Sequence, residues 1–487
     1  MANGTNVLFI LSDEHRRDVM CSYGNSIVQT PNLDRIAASG TRFDSAYTTC
    51  PICIPARASL ATGRYVHEIG YWDNGIPYDG RHASWHHELR GQGRVVDSIG
   101  KLHFKGQGCD HGFRHEMEAL HVVDGVGDIL GCIRDDPPRR HKRPGIEEAG
   151  PGDSSYLRYD DGNADRACRW LREHADDEEP WVLQVGFVLP HPPYIAPPDC
   201  CERYPIEAIE MPAQWREADW PRHPVMEHFR WFFDFDRPFT ERTIRELVVA
   251  YYGAVTFLDY QIGRIMNTLS ELGLSNNTMV IYSSDHGESM GARGIFGKFT
   301  MYEESVAVPL LVAGPGVTAG AVCDAPVSLV DLYPTILEAA GVSDERLAQL
   351  MADRPGRSLL RTAAQPDPDR PVLSEYHAVG SRHGYYLLRY LNWKYVHYVD
   401  APPQLFRLGE DPQEINELAG AAVPSTTGIL EQLRVMLSGI LDPADTDRRA
   451  RRAQSREIER HGGRQRVIER GAFDNSPVPG EEAEFHG

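Results

Sequence analysis

The chain has 487 residues, of which 41% are hydrophobic and 25% are charged, a composition typical of a soluble globular protein with one or two domains. Its formal net charge of −20 argues against general nucleic-acid binding, which favours a basic face, although a local cationic pocket can still attract an anionic substrate. The sequence contains no run of about eighteen apolar residues, so no membrane span is expected.

Apolar runs of strand length recur along the N-terminal part of the chain and end in polar residues. The predicted strands are residues 6–11, 94–99, 181–189, 278–283 and 309–313. Helical patterns lie between them, at residues 30–34, 240–272 and 329–340. Continuous apolar runs indicate strands buried on both faces. Their alternation with helices predicts an α/β fold with a large, mostly parallel sheet.

Polar side chains follow several of these strands, at the ends where a parallel sheet carries its sites. They are Asp13, Lys101, His191, Asp285 and His286. Because binding sites in open α/β sheets form outside the carboxyl ends of the strands, these side chains are expected to converge.

Residues 105–165 are rich in Gly, Asp, Pro and Arg and show little periodicity. Long loops with short helices are therefore predicted there, covering the mouth of the site. This stretch belongs to a catalytic domain predicted at residues 1–365.

The C-terminal part of the chain has a different pattern. Short strands are predicted at residues 372–376, 385–390, 394–398 and 404–406. With a helix at residues 427–437, they predict a smaller antiparallel sheet subdomain at residues 366–440. The Arg-rich tail at residues 441–487 fits a solvated helix or arm, or an arm that packs on a neighbouring subunit.

The cysteines and the first residues indicate a cellular compartment. The nine cysteines are odd in number and irregularly spaced, which favours reduced thiols over a disulfide framework. The first residues lack the basic and apolar regions of a secretory signal, so a cytoplasmic protein is predicted. Cys50 and Cys53 form a C-x-x-C pair, which also fits a redox motif. Pro55 and Arg57 extend the pair to C-x-P-x-R, and this longer pattern favours a different chemistry.

Four polar residues at two strand ends are candidate metal ligands: Asp13, Glu14, Asp285 and His286. Three carboxylates suit a hard divalent cation such as Ca²⁺, Mg²⁺ or Mn²⁺, and the imidazole shifts the balance toward Mn²⁺. Each pair alone also fits a structural role, as acids at a helix start or as polar residues at a strand end. Their placement at two strand ends of one sheet favours the metal site.

Five motifs in order give the chain a resemblance to the type I sulfatase family of the alkaline phosphatase superfamily, over roughly residues 6–420. They are the acids after the first strand, the C-x-P-x-R of residues 53–57, the G-K-x-H that ends residues 93–103, the H-x-P-Y of residues 191–194, and Asp285-His286 with the G-x-x-x-K of residues 294–298. The motif spacing looks closest to the choline sulfatase and phosphonate monoester hydrolase branch.

The resemblance implies an alkaline phosphatase-like α/β/α sandwich and a catalytic group that is not encoded. In the family, the motif cysteine, here Cys53, is oxidised to formylglycine by a formylglycine-generating enzyme, and the hydrated aldehyde is the nucleophile. One divalent metal ion is also implied, Ca²⁺ in the first place, with Mn²⁺ or Mg²⁺ as alternatives. The implied ligands are Asp13, Glu14, the modified Cys53, Asp285 and His286. Glu14 departs from the family, which usually has Asp or Gln at this position.

The resemblance also implies roles for other motif residues. Arg57 would pair with the diol or an adjacent carboxylate, and Lys101 would hold a sulfate oxygen. His103 would contact the formylglycine and could remove its proton. His191 and Lys298 would contact the sulfate or the leaving oxygen, and either is a candidate general acid.

Further residues are candidates for substrate binding. Asn74 matches a D-N segment seen in choline sulfatase-like members. A choline pocket would need an aromatic or acidic cage for the quaternary ammonium, and Tyr71, Trp72, Trp85 and Tyr194 are candidate wall residues.

The predicted function is hydrolysis of sulfate monoesters, with a small anionic ester as substrate. A phosphonate monoester or phosphodiester hydrolase on the same site is a second prediction, because sulfate and phosphate differ mainly in charge. An inactive sulfatase-like binding protein is an alternative of another class, against which the intact motifs argue. Members of this branch are commonly oligomeric, so a homo-oligomer is expected, with neither nucleic acid nor a membrane as partner.

Overall fold

The computed structural model of the protein describes residues 4–106, 108–420 and 424–486. The strands are β1 Asn6–Asp13, β2 Gly40–Phe43, β3 Ala46–Tyr47, β4 Val95–Lys101, β5 His115–Leu120, β6 Gly150–Pro151, β7 Trp181–Pro190, β8 Ile195–Ala196, β9 Thr278–Ser284, β10 Leu310–Ala313, β11 Ala321–Cys323, β12 Val327–Ser328, β13 Val372–Tyr376, β14 Tyr385–Tyr390, β15 Trp393–Tyr398 and β16 Ala401–Arg407. The helices are α1 Pro31–Ser39, α2 Cys53–Thr62, α3 Val66–Ile69, α4 Trp85–Gly91, α5 Arg143–Glu147, α6 Ser155–Glu173, α7 Pro198–Cys201, α8 Pro224–Phe232, α9 Glu241–Glu271, α10 Glu303–Val306, α11 Leu332–Ala339, α12 Asp344–Met351, α13 Leu359–Ala364, α14 Pro424–Ile440, α15 Pro443–Arg460 and α16 Gly463–Arg470. Within these described ranges, no helix is long and apolar enough to cross a membrane.

The central sheet has eight strands in the order β11-β2-β10-β9-β1-β7-β4-β5. From β9 to β5 all neighbouring strands run parallel, whereas β10 is antiparallel to both β9 and β2. Parallel neighbours need a long crossover connection, usually a helix. Between β9 and β10 the chain forms a 3₁₀ turn at Ala292–Gly294 and the short helix α10, and it returns in the opposite direction. The predicted large, mostly parallel sheet is confirmed.

Strand β1 shows why helices cover the sheet on both faces. Val7 and Phe9 belong to a hydrophobic cluster that includes residues of α2, α4 and α11. Leu8 and Ile10 belong to another cluster, which includes residues of α6 and α9. All four side chains are fully buried. Burial of such a side chain stabilises the fold by roughly 1.5–3 kcal/mol relative to exposure, so the run forms the middle layer of an α/β/α sandwich.

The prediction of loops over residues 105–165 is wrong at two places. Strand β5 pairs with β4 at the edge of the sheet, and helix α6 begins already at Ser155. Within this helix, the Asp160 carboxylate accepts hydrogen bonds from the backbone amides of Val188 and Leu189. Tertiary contacts therefore satisfy a carboxylate that lies on the buried face of this helix. Between β5 and α6 the chain forms loops and short helices, as predicted.

The predicted C-terminal antiparallel sheet is confirmed, with the strand order β13-β14-β15-β16. Helix α14 packs on it through Leu433 and Leu437, which share a cluster with Tyr386 and Leu388 of β14. The predicted helix at residues 427–437 lies inside α14.

The Arg-rich tail forms α15 and α16, which pack on the same chain. Arg134 lies 2.8 Å from the Asp447 carboxylate, and Gln454 Nε2 donates to Asp73 Oδ2 at 3.0 Å. Ala450 is fully buried in the main hydrophobic cluster. The tail is therefore more than the solvated helix of the sequence interpretation, and these contacts are made within one chain.

Candidate active site

The candidate site lies at the carboxyl edge of the central sheet, where β1 and β9 end side by side. Their register pairs Ser12 with Ser284, so Asp13 and Asp285 stand next to each other. Glu14 adopts a left-handed backbone conformation with φ of 68°, and its amide donates to Asp285 Oδ1 at 3.1 Å. The structure thus brings together the acids that the sequence placed at two strand ends.

Helix α2 places Cys53 in the middle of these groups. It begins at Cys53 and stops before Gly63, whose left-handed conformation ends the helix. Cys53 Sγ lies 3.2 Å from His286 Nε2 and 3.6 Å from Asp13 Oδ1. In a formylglycine residue, the diol oxygens would stand where this sulfur lies. The amino terminus of a buried helix also favours negative charge at this point.

Asn74 supports the start of helix α2. Its Oδ1 accepts a hydrogen bond from the Ile54 amide at 3.1 Å, which satisfies one of the donors that a helix start leaves without a partner. Asn74 also lines the cavity in front of Cys53, so it stands where a substrate contact is available.

Arg57 connects both acids from one turn further along α2. Its Nε donates to Asp285 Oδ2 at 2.8 Å, and its Nη2 donates to Asp13 Oδ2 at 3.1 Å. A third donor, Nη1, bonds the Lys101 carbonyl at 3.1 Å. The side chain is only 2% exposed. A planar fork with several donors is what this bridging position requires, because a lysine could not reach all three acceptors.

Two lysines neutralise the acids from the other side. Lys101 Nζ lies 2.6 Å from Asp13 Oδ2, and Lys298 Nζ donates to Glu14 Oε2 at 2.6 Å. Burial raises the pKa of Asp13, but Lys101, His191 and Arg57 outweigh it and hold that pKa well below its usual range. Burial lowers the pKa of Lys298, and its anionic neighbours reverse this to a raised value. Asp13 is therefore held ionised and Lys298 protonated within this buried site.

His191 and His103, the two histidines predicted to act on the substrate or on residue 53, are neutral bases. Burial, together with Lys298 and Lys101, lowers the pKa of His191 well below its usual range, and burial with Lys101 does the same for His103. His191 Nδ1 lies 2.7 Å from the Pro192 carbonyl. Because a carbonyl only accepts, Nδ1 carries the proton and the neutral ring presents a lone pair at Nε2.

The donor set fits a hard divalent cation. Asp13, Cys53, Asp285 and His286 offer buried ligand atoms within 4.8 Å of one another, and Asp13, Glu14 and His191 form a second such group beside them. Glu14 Oε1 is buried and has no hydrogen-bond partner among the described residues. Burial and the neighbouring Glu288 raise the pKa of Glu14 although Lys298 opposes them, so this carboxylate lacks sufficient positive charge. Carboxylate-rich sites of this kind suit Ca²⁺, Mg²⁺ or Mn²⁺.

A cavity of about 310 Å³ opens in front of Cys53. Glu14, His103, His191 and Lys298 line its inner end. Its aromatic lining residues are Tyr194, Phe233, Phe235, Phe296, Phe299 and Phe473. Asp128, Arg140 and Lys142, from the segment between β5 and α6, stand at the same cavity, as predicted for a segment that covers the mouth.

The aromatic residues considered for a choline cage divide into two groups. Tyr194 lines the cavity, and its hydroxyl donates to Glu288 at 2.8 Å. Tyr71, Trp72 and Trp85 are buried elsewhere and do not line it. Their neighbours in sequence gave no sign of which way each ring faces.

Sequence reasoning missed two groups of residues around the cavity. Residues 229–239 contain several phenylalanines, and this enrichment was a usable signal for the aromatic wall. Residues 473–476 of the tail also line the cavity, where Ser476 Oγ lies 2.9 Å from His103 Nε2. Nothing in the sequence of the tail indicated this contact.

Comparisons with known proteins find relatives over most of the chain. The family model described as Sulfatase matches residues 5–342, and that described as N-sulphoglucosamine sulphohydrolase, C-terminal, matches residues 291–440. Arylsulfatase K of Bos taurus is 31% identical over 455 residues, covering 88% of this chain and 80% of its own. Choline-sulfatase of Rhizobium meliloti (strain 1021) is 30% identical over 471 residues, covering 93% and 90%. The structure of a phosphonate monoester hydrolase from Silicibacter pomeroyi is similar in fold, with a TM-score of 0.72 at 24% identity, covering 89% and 95%.

Proposed function

Because the chain belongs to the sulfatase family, we propose that it hydrolyses sulfate monoesters with a formylglycine derived from Cys53 as nucleophile. The observation that carries the proposal is the place of Cys53, whose Sγ lies 3.2 Å from His286 at the start of a buried helix. Burial and Asp13 raise the pKa of the Cys53 thiol to about 12. A protonated thiol is a poor nucleophile, which supports a modified residue at this position. Maturation would then require a formylglycine-generating enzyme or its equivalent.

The charges of the site support an anionic substrate. The three carboxylates of Asp13, Glu14 and Asp285 are matched in number by Arg57, Lys101 and Lys298. A divalent ion held by the acids and His286, for which we propose Ca²⁺, would activate an oxygen nucleophile and draw charge from the sulfate. With such an ion bound, positive charge exceeds negative charge, and the single negative charge of a sulfate monoester offsets part of this excess.

The other residues of the site have separate roles in binding the sulfate, orienting the acids and accepting a proton. Lys101 and Lys298 pair with Asp13 and Glu14, and we propose that both hold sulfate oxygens, where their charge stabilises the charge that develops in the transition state. Arg57 bridges Asp13 and Asp285 and fixes the orientation of both carboxylates. His103, a neutral base at the inner end of the cavity, is placed to accept a proton from the group at residue 53.

His191 and Lys298 are the residues proposed to stabilise the leaving oxygen. Neutral His191 presents only a lone pair at Nε2, so it can donate a proton only after it has first been protonated. Lys298 stays protonated and supplies charge rather than a mobile proton. A good leaving group needs no proton, so aryl sulfates should be turned over more readily than alkyl sulfates.

The test measures initial rates on 4-nitrophenyl sulfate for the wild type, Cys53→Ala and Cys50→Ala. Cys50 is also a buried cysteine and lies three residues earlier, so Cys50→Ala is the matched control and also tests the redox interpretation of the C-x-x-C pair. We expect loss of turnover in Cys53→Ala and retention in Cys50→Ala. Full turnover by Cys53→Ala would refute the proposed nucleophile.

Paired substrates test the choice of ester. The wild type should show a higher kcat/KM on the aryl sulfate than on 4-nitrophenyl phenylphosphonate or bis(4-nitrophenyl) phosphate. The reverse order would assign the same site to phosphonate monoesters or phosphodiesters. A protein that is fully converted at Cys53 and inactive on all three would favour the binding-protein alternative.

A further inference from the structure

The C-terminal segment, residues 471–486, forms one wall of the cavity that holds Cys53. Its residues at the cavity are Phe473, Asp474, Asn475 and Ser476. The segment follows helix α16, and its two ends are joined by a backbone bridge between Ala472 and His486. The matched family regions end at residues 342 and 440, so neither includes this segment.

Three contacts hold this C-terminal segment against earlier parts of the chain. Lys142, next to helix α5, forms an ion pair with Asp474. The side-chain amide nitrogen of Asn475 faces the loop after β7 and donates to the Pro192 carbonyl at 2.9 Å. Tyr156 of helix α6 is buried, and its hydroxyl donates to the Ser476 carbonyl at 2.6 Å. These anchors hold Ser476 at a fixed position in the cavity wall.

Ser476 is in direct contact with His103. Its Oγ lies 2.9 Å from His103 Nε2, and the two residues are 9% and 5% exposed. His103 follows β4 in a left-handed backbone conformation with φ of 56°, and its amide donates to the Leu120 carbonyl at 2.9 Å. The other ring nitrogen, Nδ1, is buried and has no hydrogen-bond partner in the described part of the chain. The backbone of His103 is therefore fixed by β5, and its ring by the tail.

Starting from the proposed sulfatase reaction, we propose that Ser476 is a positioning residue for His103. Ser476 Oγ accepts the proton of His103 Nε2, which leaves the lone pair on Nδ1 to receive a proton from the reacting group at residue 53. A hydroxyl can both donate and accept, so its contribution is to hold the imidazole ring in one orientation, and loss of this partner releases the ring. The C-terminal segment thus contributes a residue to the active site of its own chain.

The test compares Ser476→Ala with Ser476→Thr, which keeps a hydroxyl. Ser438→Ala is the matched control, because Ser438 lies on the exposed face of α14 and its hydroxyl bonds only within that helix. Rates on 4-nitrophenyl sulfate are measured with the fraction of converted Cys53 determined for each variant. Ser476→Ala is expected to lower kcat about tenfold or more with little change in KM, the scale seen when a partner that orients a functional side chain is lost. Ser476→Thr should recover most of kcat, and Ser438→Ala should behave as wild type.

A second variant keeps the proposal open to refutation if Ser476→Ala folds poorly. Tyr156→Phe removes only the hydroxyl that holds the Ser476 carbonyl, so it should lower kcat in the same direction with a smaller effect. The proposal is overturned if Ser476→Ala and Tyr156→Phe retain wild-type kcat, or if Ser476→Ala and Ser476→Thr are equally impaired. Failure of the proposed function would look different, because the wild type itself would then lack sulfatase activity or Cys53→Ala would keep it.

Discussion

Arg57 offers a sharp test of how the acids of the site are held together. In the variant Arg57→Ala, the Asp13 and Asp285 carboxylates lose the guanidinium that bonds both of them at 3.1 and 2.8 Å. Both carboxylates are 0% exposed, so water cannot replace the lost donors. Two charge-assisted hydrogen bonds contribute about 1.5–3 kcal/mol each. For the two bonds together this is about 3–6 kcal/mol, which brackets the roughly 3–5 kcal/mol lost when one partner of a buried ion pair is removed.

The expected result is a loss of about 3–5 kcal/mol in unfolding free energy for Arg57→Ala in the presence of a chelator. The assay is urea unfolding followed by tryptophan fluorescence, with and without added Ca²⁺. A bound cation would itself neutralise Asp13 and Asp285, so Ca²⁺ should recover more stability in the variant than in the wild type. Arg434→Ala is the control, because Arg434 pairs with Glu431 on an exposed helix surface and should matter little. Equal unfolding midpoints for Arg57→Ala and Arg434→Ala under chelation would refute the reasoning.

Three further predictions concern Lys298, the cation bound by the acids, and the buried carboxylate of Glu375. Lys298→Ala should lower kcat more on an alkyl sulfate than on 4-nitrophenyl sulfate, because Lys298 stabilises the leaving oxygen; an equal loss on both substrates would contradict this role. Chelation should lower the melting temperature of the wild type, and Asp285→Asn should abolish the recovery that added Ca²⁺ gives; an unchanged recovery would place the cation elsewhere. Burial raises the pKa of Glu375, but His67 and His377 outweigh it and lower that pKa to about 2. The stability gained from Glu375 is therefore present above pH 4.5 and is lost as the pH falls toward 2, and unfolding midpoints of Glu375→Gln should depend less on pH over this interval than those of the wild type.

The strands that carry the site could be predicted because their sequences leave few alternatives. Residues 7–11, which precede Asp13, are all apolar, as a strand covered on both faces requires. The same pattern precedes Asp285, and parallel pairing then brings the two strand ends together. Cys53 was placed by motif resemblance, and the structure supplies the physical reason, a buried helix that starts at that residue.

Other parts of the structure depend on contacts that no local pattern encodes. The start of helix α6 was missed because its buried face carries polar residues such as Asp160. The Asp160 carboxylate accepts hydrogen bonds from backbone amides of β7, and the sequence gives no sign of these contacts. The position of Ser476 depends on anchors at Lys142, Tyr156 and Pro192, which are distant in sequence. An Arg-rich tail of this composition fits exposed helices equally well, so its contact with His103 could be found only in three dimensions.

The most direct test of the central claim is the mass of the peptide that contains Cys53, measured on the same preparations whose turnover of 4-nitrophenyl sulfate is determined. Co-expression with a formylglycine-generating enzyme provides preparations with different degrees of conversion. The account predicts that kcat rises in proportion to the fraction of aldehyde and falls to zero when only the thiol is present. Full turnover by a preparation in which Cys53 is entirely unmodified would contradict it.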